Sequence, residues 1–242
     1  MSQLSYFFYN GPLVENSVVV LDDDTSKHIW QVLRMQEGDR IAVTDGKGNI
    51  GEGHLLAVER QKSRVSLDTI AFQERTSEIL HLCVGFTKNN NRNEWMLEKA
   101  TELGVTSIVP VAAARSEKAH FRLDRWQKIL TSAILQSRQH YLPHLADITS
   151  LPEVLKHFAK IPQKFVAHCI KDEQKKTLAS LLKPGIETVL LIGPEGDFTQ
   201  EEVNLCVEHG FAPVSLGKQR LRTETAAITA CAFFNVLNDG EI

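Results

Sequence analysis

Two periods of hydrophobic alternation divide the chain. In residues 17–21, 40–44, 50–58 and 64–70, short runs rich in β-branched residues are separated by polar turns, the signature of strands. Gly38-Asp39 and Asp45-Gly46-Lys47-Gly48 supply the turn chemistry, because glycine reaches positive φ without a steric penalty. One helix is predicted over 25–34. Strands this short, joined as hairpins, imply a small β-barrel. The polar stretch 73–78 sets a boundary between 1–73 and 74–242.

Beyond that boundary, strands alternate with helices. Residues 80–85, 105–111, 164–169, 188–192 and 213–216 read as strands. A helix over 93–103 places Met96, Ala100 and Leu103 on one face and stops at Gly104. A longer helix, capped by Asp124, carries the stripe Trp126, Ile129, Leu130, Ala133 and Ile134. Over 199–210, Thr199 and Glu202 form a capping box, with Phe198 and Val203 as its hydrophobic staple. The last helix, 224–237, is apolar on most sides and is expected to be buried all round, in the core or in a subunit interface. This alternation implies an α/β domain with a largely parallel sheet.

Composition narrows the class without naming a function. The 242 residues are 43% hydrophobic and 24% charged, ordinary for a folded chain, with a formal net charge of -3. RNA binding therefore requires locally clustered cations. Such a cluster lies between Arg115 and His140, where Arg115, Lys118, Arg122, Arg125, Lys128 and Arg138 face only Glu117 and Asp124. No apolar run reaches the roughly 18 residues of a membrane span. Residues 1–10 read as part of the fold rather than as a signal peptide. Cys83, Cys169, Cys206 and Cys231 form no C-x-x-C pair, and His140 and His144 read as ordinary polar residues. No metal, no membrane and a reducing, cytoplasmic setting are expected.

Two loops concentrate candidate chemistry. The stretch Leu191-Ile192-Gly193-Pro194-Glu195-Gly196-Asp197-Phe198 carries a strand through a glycine-bearing turn into a helix. In open α/β sheets ligands bind at such turns. It is neither a P-loop nor G-x-G-x-x-G, and Glu195 with Asp197 disfavours phosphate. A ligand-binding loop and a structural turn both remain open on spacing alone. The second stretch, from Leu216 and Gly217 through Arg220, Leu221 and Arg222 to Thr223, Glu224, Thr225 and Ala226, enters the apolar last helix. Thr223 reads as an N-cap on the plain reading, yet so many charges entering a buried helix exceed what capping requires.

Taken together these motifs resemble the RsmE family of SPOUT methyltransferases. Gly193-Pro194-Glu195-Gly196-Asp197-Phe198 is similar to the family's G-P-E-G-G-F loop, and Leu221-Arg222-Thr223-Glu224-Thr225-Ala226 to its L-R-T-E-T-A segment. Lys99-Ala100-Thr101-Glu102-Leu103-Gly104-Val105, Arg115-Ser116, Gln136-Ser137, and His28 with Val32-Leu33-Arg34 and Gly38-Asp39 also match. Asp197, Leu135 and Tyr6 depart from the pattern, standing where a glycine, a glutamate and an arginine are common.

The resemblance implies an N-terminal PUA-like β-barrel that binds RNA and a C-terminal SPOUT domain with a deep trefoil knot. It implies a homodimer, S-adenosylmethionine as cofactor, and methylation of a uridine N3 in 16S ribosomal RNA of the small ribosomal subunit. The expected cofactor residues are Ala167, Leu191, Gly193, Pro194, Glu195, Gly196, Leu216, Gly217, Leu221, Thr223, Thr225 and Ala226. Arg222 is the candidate for electrostatic stabilisation, and Glu224 is either the base or the group that orients Arg222. Arg34, Lys88, Arg92, Arg115, Arg122, Arg138 and Arg220 are the candidate RNA contacts. Two rival classes are a non-enzymatic RNA-binding module and a nucleotide-using α/β enzyme. The first leaves two polar loops beside a buried helix without a ligand. The second lacks a phosphate loop.

Overall fold

The computed structural model describes residues 4–76, 78–116, 122–170 and 175–238. Ser77 of the polar boundary, and Glu117 and Lys118 of the basic cluster, lie outside the described residues. The chain divides into two compact units, Met1–Arg75 with Ile134–Leu142 and Thr76–Ala133 with Pro143–Ile242.

The first unit holds β1 (Ser5–Phe8), β2 (Val18–Val20), α1 (Asp23–Lys27), β3 (Arg40–Thr44), β4 (Asn49–Ala57) and β5 (Arg64–Phe72). The strands form one sheet in the order β1-β3-β4-β5-β2. Only the β1–β3 pairing is parallel. Phe7 from one edge strand and Val19 from the other share a core with Ile41, Val43, Leu55, Val65 and Leu67. The sheet thus curls around its own apolar face as a small barrel. Two register shifts in β4 supply curvature, and at one of them a Cβ on Gly53 would collide with the Ser66 carbonyl.

The helix of this unit starts before the predicted position, because Asp22 accepts from the Thr25 amide at 2.7 Å as N-cap. It passes into a π-helical turn, His28–Leu33, closed by Arg34 in the left-handed conformation (φ 51°). Residues 134–142 join the barrel through long-range bonds. The Gly48 amide donates to the His140 carbonyl at 2.9 Å, and the Leu142 amide to Gly46 at 2.8 Å. The Tyr141 hydroxyl donates to the Gln73 carbonyl at 2.8 Å. Tyr6 shares a 2.7 Å hydrogen bond with His140 Nδ1. Burial pushes the Tyr6 hydroxyl pKa up and the His140 pKa down.

The second unit begins with β6 (Leu80–Val84), α2 (Asn90–Glu102) and β7 (Ser107–Ala112). Next come α3 (Leu123–Ser137), whose last turn from Ile134 is counted with the first unit, β8 (His144–Leu145), β9 (Thr149–Ser150), α4 (Leu151–His157) and β10 (Gln163–Ala167). It ends with β11 (Lys176–Thr177), α5 (Leu178–Leu181), β12 (Thr188–Ile192), α6 (Gln200–Glu208), β13 (Ala212–Ser215) and α7 (Thr223–Asn238). The sheet runs β11-β13-β10-β12-β6-β7-β8, with β9 beside β7, and every pair is parallel.

A parallel sheet needs cover on both faces. All five residues of β12 are buried. Val189 and Leu191 join a core with Leu151, Val154 and Leu155 of α4 and Val203 and Cys206 of α6. Alternation sends Leu190 and Ile192 to the other face, where α7 packs on β6, β12 and α2. The capping box of Thr199 and Glu202 is formed, and Phe198 and Val203 enter the same core.

Two expectations are corrected. Asp124 lies inside the first turn of α3, after Leu123, rather than capping the helix. α7 is not buried all round within one chain. Ala227, Ala230, Cys231 and Phe234 are buried, while Val236 is 52% and Leu237 37% exposed. Among the described residues no helix is long and apolar enough to cross a membrane, and no group of side chains is arranged to hold a metal ion.

Candidate active site

Three loops leave the C-terminal ends of the neighbouring strands β13, β10 and β12 and enclose a cavity of about 730 Å³. Crevices of this size at the carboxyl ends of parallel strands are where α/β folds take small ligands. Ala167, Gly193, Pro194 and Glu195 line it from two of the loops. Leu216, Gly217, Leu221, Thr223 and Ala226 line it from the third, together with Arg220 and Arg222.

The remaining predicted cofactor residues do not face the cavity. Leu191 points into the α4–α6 core, and Ile192 takes its place because successive side chains on a strand alternate. Gly196 packs against Arg115, whose guanidinium donates to the Gly196 carbonyl at 3.2 Å. Thr225 is exposed, outside the cavity lining.

The loop after β12 is braced from several sides. A Cβ on Gly85, at the end of β6, would sit 2.6 Å from the Pro194 nitrogen, so the close approach requires glycine. Thr223 Oγ1 donates to the Gly193 carbonyl at 3.1 Å, so the side chain ties this loop to the start of α7. Asp197 has φ 61°, a conformation costing an ordinary L residue about 1–2 kcal/mol but tolerated by aspartate. Its amide donates to the Pro194 carbonyl at 2.9 Å. Its carboxylate accepts from the Cys169 amide at 2.8 Å and the Phe198 amide at 2.9 Å. Lys175 Nζ donates to the carbonyls of His168 at 2.7 Å and Ile170 at 3.0 Å.

Charge enters the cavity from α2 as well. Asn93 is buried and locks the start of that helix: its Oδ1 accepts from the Thr87 amide at 2.9 Å and its Nδ2 donates to the Thr87 carbonyl at 2.8 Å. This fixes Arg92 on the cavity wall, 3.4 Å from Glu195 Oε1 and, through Nε, 3.6 Å from Glu224 Oε1. Glu224 is buried, and its Oε2 has no hydrogen-bond partner. The carboxylate expected to orient Arg222 therefore pairs with Arg92, and Arg222 remains exposed at the cavity.

The candidate RNA residues separate by environment. Arg34 is exposed at the end of the π-helical turn, and Arg138 (φ 55°) donates to the Leu4 carbonyl at 2.9 Å. Lys88, Arg122 and Arg220 are exposed. Arg115 is engaged by Gly196 and Arg92 by two carboxylates. Arg125 forms a bidentate pair with Glu94 at 2.5 and 2.7 Å. The sequence reading missed Arg92, Cys169, Lys175 and Asp197 as cavity-lining residues. The signal available at Asp197 was an aspartate, a backbone-bonding residue that tolerates positive φ, in a glycine-like position.

Comparison with known proteins agrees with this architecture. Residues 74–235 match the model of the RNA methyltransferase domain family, and residues 21–68 match that of the RNA methyltransferase PUA domain. Ribosomal RNA small subunit methyltransferase E of Bacillus subtilis is 31% identical over 217 residues, covering 84% of each chain. The crystal structure of ribosomal RNA small subunit methyltransferase E from Neisseria gonorrhoeae, bound to S-adenosyl methionine, is 29% identical with a TM-score of 0.85, covering 99% of this chain and 100% of that one. A putative methyltransferase from Legionella pneumophila, in complex with bound cofactor SAM, is 27% identical with a TM-score of 0.88, covering 98% of both chains. The chain therefore belongs to the RNA methyltransferase family, within the group of the ribosomal RNA small subunit methyltransferase E proteins.

Proposed function

We propose that the protein transfers a methyl group from S-adenosylmethionine to N3 of a uridine in the 16S ribosomal RNA of the small subunit. The observation that carries this reading is the cavity at the ends of β13, β10 and β12, built without a phosphate loop. Its residues fit an adenosyl group. Ile192, Leu216 and Leu221 offer apolar surface, and Gly193 and Gly217 leave the backbone open to close approach. Glu195 and Asp197 are the two carboxylates on the lining, the first held by Arg92 and the second by two backbone amides. When bound, S-adenosylmethionine supplies an electrophilic methyl group on its sulfonium.

The chain's own residues must hold the uracil and favour loss of its N3 proton. Arg222, exposed at the cavity, stabilises the negative charge that develops on the ring. Arg92, held by Glu195 and Glu224, adds a fixed cation from α2, and Glu224 acts by orienting it. The target base is presented unstacked. Arg34 on the RNA-binding N-terminal domain (1–73), Arg138 in the 134–142 segment that groups with it, and Lys88, Arg122 and Arg220 on the methyltransferase domain (74–242) contact phosphates. Arg115 secures the 193–197 loop.

The same reading includes the trefoil knot, a homodimer and a cytoplasmic location. Val236 and Leu237, with half-buried Ile228, Ala232 and Phe233, leave α7 an apolar face for a second copy. A sedimentation mass of a monomer at micromolar concentration would remove the dimer.

Calorimetric titration with S-adenosylmethionine, S-adenosylhomocysteine and ATP tests the cofactor assignment. Saturable binding of the two adenosyl ligands and none of ATP is expected. Incubation with undermethylated small subunits should then place one methyl on a uridine N3, read as a reverse-transcription stop. A folded protein that binds RNA but neither adenosyl ligand would instead be an RNA-binding module.

A further inference from the structure

The loops after β10 and β12 leave paired strands side by side, with Ala167 in register with Ile192. Beyond those residues the ladder ends, and nothing in the sheet fixes the two loops relative to one another. The Asp197 side chain spans the gap. Asp197 Oδ2 accepts from the Cys169 amide at 2.8 Å, a bond between residues 28 apart in sequence, while Oδ1 accepts from the Phe198 amide at 2.9 Å. Asp197 and Cys169 both line the cavity, on its two adjoining walls. Lys175 anchors the first loop from its other end, through the carbonyls of His168 and Ile170.

The conformation of Asp197 shows what the bridge overrides. At φ 61° the residue occupies the left-handed region, where glycine is unstrained. Glycine would satisfy the turn and leave the Cys169 amide without this acceptor. We propose that Asp197 is a positioning residue whose carboxylate clamps the 168–170 loop to the 193–197 loop and so preforms the cofactor cavity. The proposal rests on the reading of that cavity as the S-adenosylmethionine site. It acts on ligand affinity rather than on the methyl-transfer step, because the carboxylate binds two backbone amides of the walls.

The test compares the full-length chain with Asp197→Gly and Asp197→Asn. In the glycine variant the Cys169 amide, followed by NMR, should exchange at least about tenfold faster in the absence of ligand, as expected for loss of a charge-assisted bond. Its Kd for S-adenosylmethionine and S-adenosylhomocysteine should rise about tenfold, with kcat at saturating cofactor within about twofold of the parent. Its Tm should fall by only a few degrees, since relief of the left-handed strain offsets part of the two amide bonds lost. Asparagine tolerates the same φ and keeps one neutral acceptor, so its Kd should fall between the two. Parent-like Kd and Cys169 exchange in a folded glycine variant would overturn the clamp, as would a fall in kcat with Kd unchanged. If the parent chain bound no adenosyl ligand, the cofactor reading would fall, and the ligand-free Cys169 exchange would still decide for or against the bridge.

Discussion

The two loops that face each other across the cavity are built in opposite ways. The loop after β12 is tied at Gly193 by Thr223, at Gly196 by Arg115 and at Asp197 to Cys169, and Gly85 packs beneath Pro194. The loop after β13 carries Lys218, Gln219, Arg220 and Arg222 exposed, and among the described residues none of these side chains makes a hydrogen bond or ion pair. One wall has its geometry set before a ligand arrives. The other keeps its charges free of protein partners. The proposed division of labour, a cofactor read by a preset wall and an RNA met by free cations, would use that difference.

The largest expected effect breaks the comparison at Arg222. Arg222→Ala should lower the methyl-transfer rate about 10²–10³-fold with little change in cofactor Kd. Equal losses in both would assign Arg222 to the rigid wall. Thr223→Val removes the bond to Gly193 while keeping the shape, leaving a buried carbonyl unpaired. A destabilisation of about 1–3 kcal/mol, measured by urea unfolding, is expected together with weaker cofactor binding.

Thiol labelling sharpens the contrast chemically. Cys169 is exposed in the cavity, whereas burial pushes the Cys206 and Cys231 thiols up to about 12 and Cys83 higher still. A thiol must ionise to react, so below those pKa values the three buried groups remain protonated and inert. One equivalent of iodoacetamide should react with the native chain near neutral pH, and S-adenosylhomocysteine should slow it. Rapid labelling of two or more thiols, or no protection, would count against the cavity assignment. The smallest effect is electrostatic. Lys218→Ala and Arg220→Ala should each reduce the salt dependence of RNA binding by about one in log–log slope, with cofactor affinity unchanged.

Much of the second unit was legible because its signals are local. β12 reads as a run of apolar residues between polar ones, and the Thr199–Glu202 box marks the start of α6 within four positions. The cavity loops were legible as glycine-bearing strand ends, which is how Gly193 was singled out, whereas Leu216 and Thr223 were assigned to the cofactor through the family resemblance, and all three line the cavity. What failed to show depends on distance. β1 has no alternation and owes its pairing to β3. Residues 134–142 belong with the barrel through bonds to Gly46, Gly48 and Gln73 that no periodicity encodes. Arg92 looked like one more surface cation. Its role is set by Glu195 and Glu224, each more than a hundred residues away. Alternation along β12 would have exchanged Leu191 for Ile192 had the burial of each face been known.

The strand order has a consequence for how the molecule is made. β6 lies between β7, its neighbour in sequence, and β12, roughly a hundred residues downstream. At synthesis rates of about 5–20 residues per second, β6 emerges some 5–20 seconds before its second partner exists. For that interval one long edge of apolar strand stays open. The barrel waits too, for residues 134–142. Neither unit can close in the order in which it is written, and the growing chain must keep an incomplete sheet soluble until its last third has been translated.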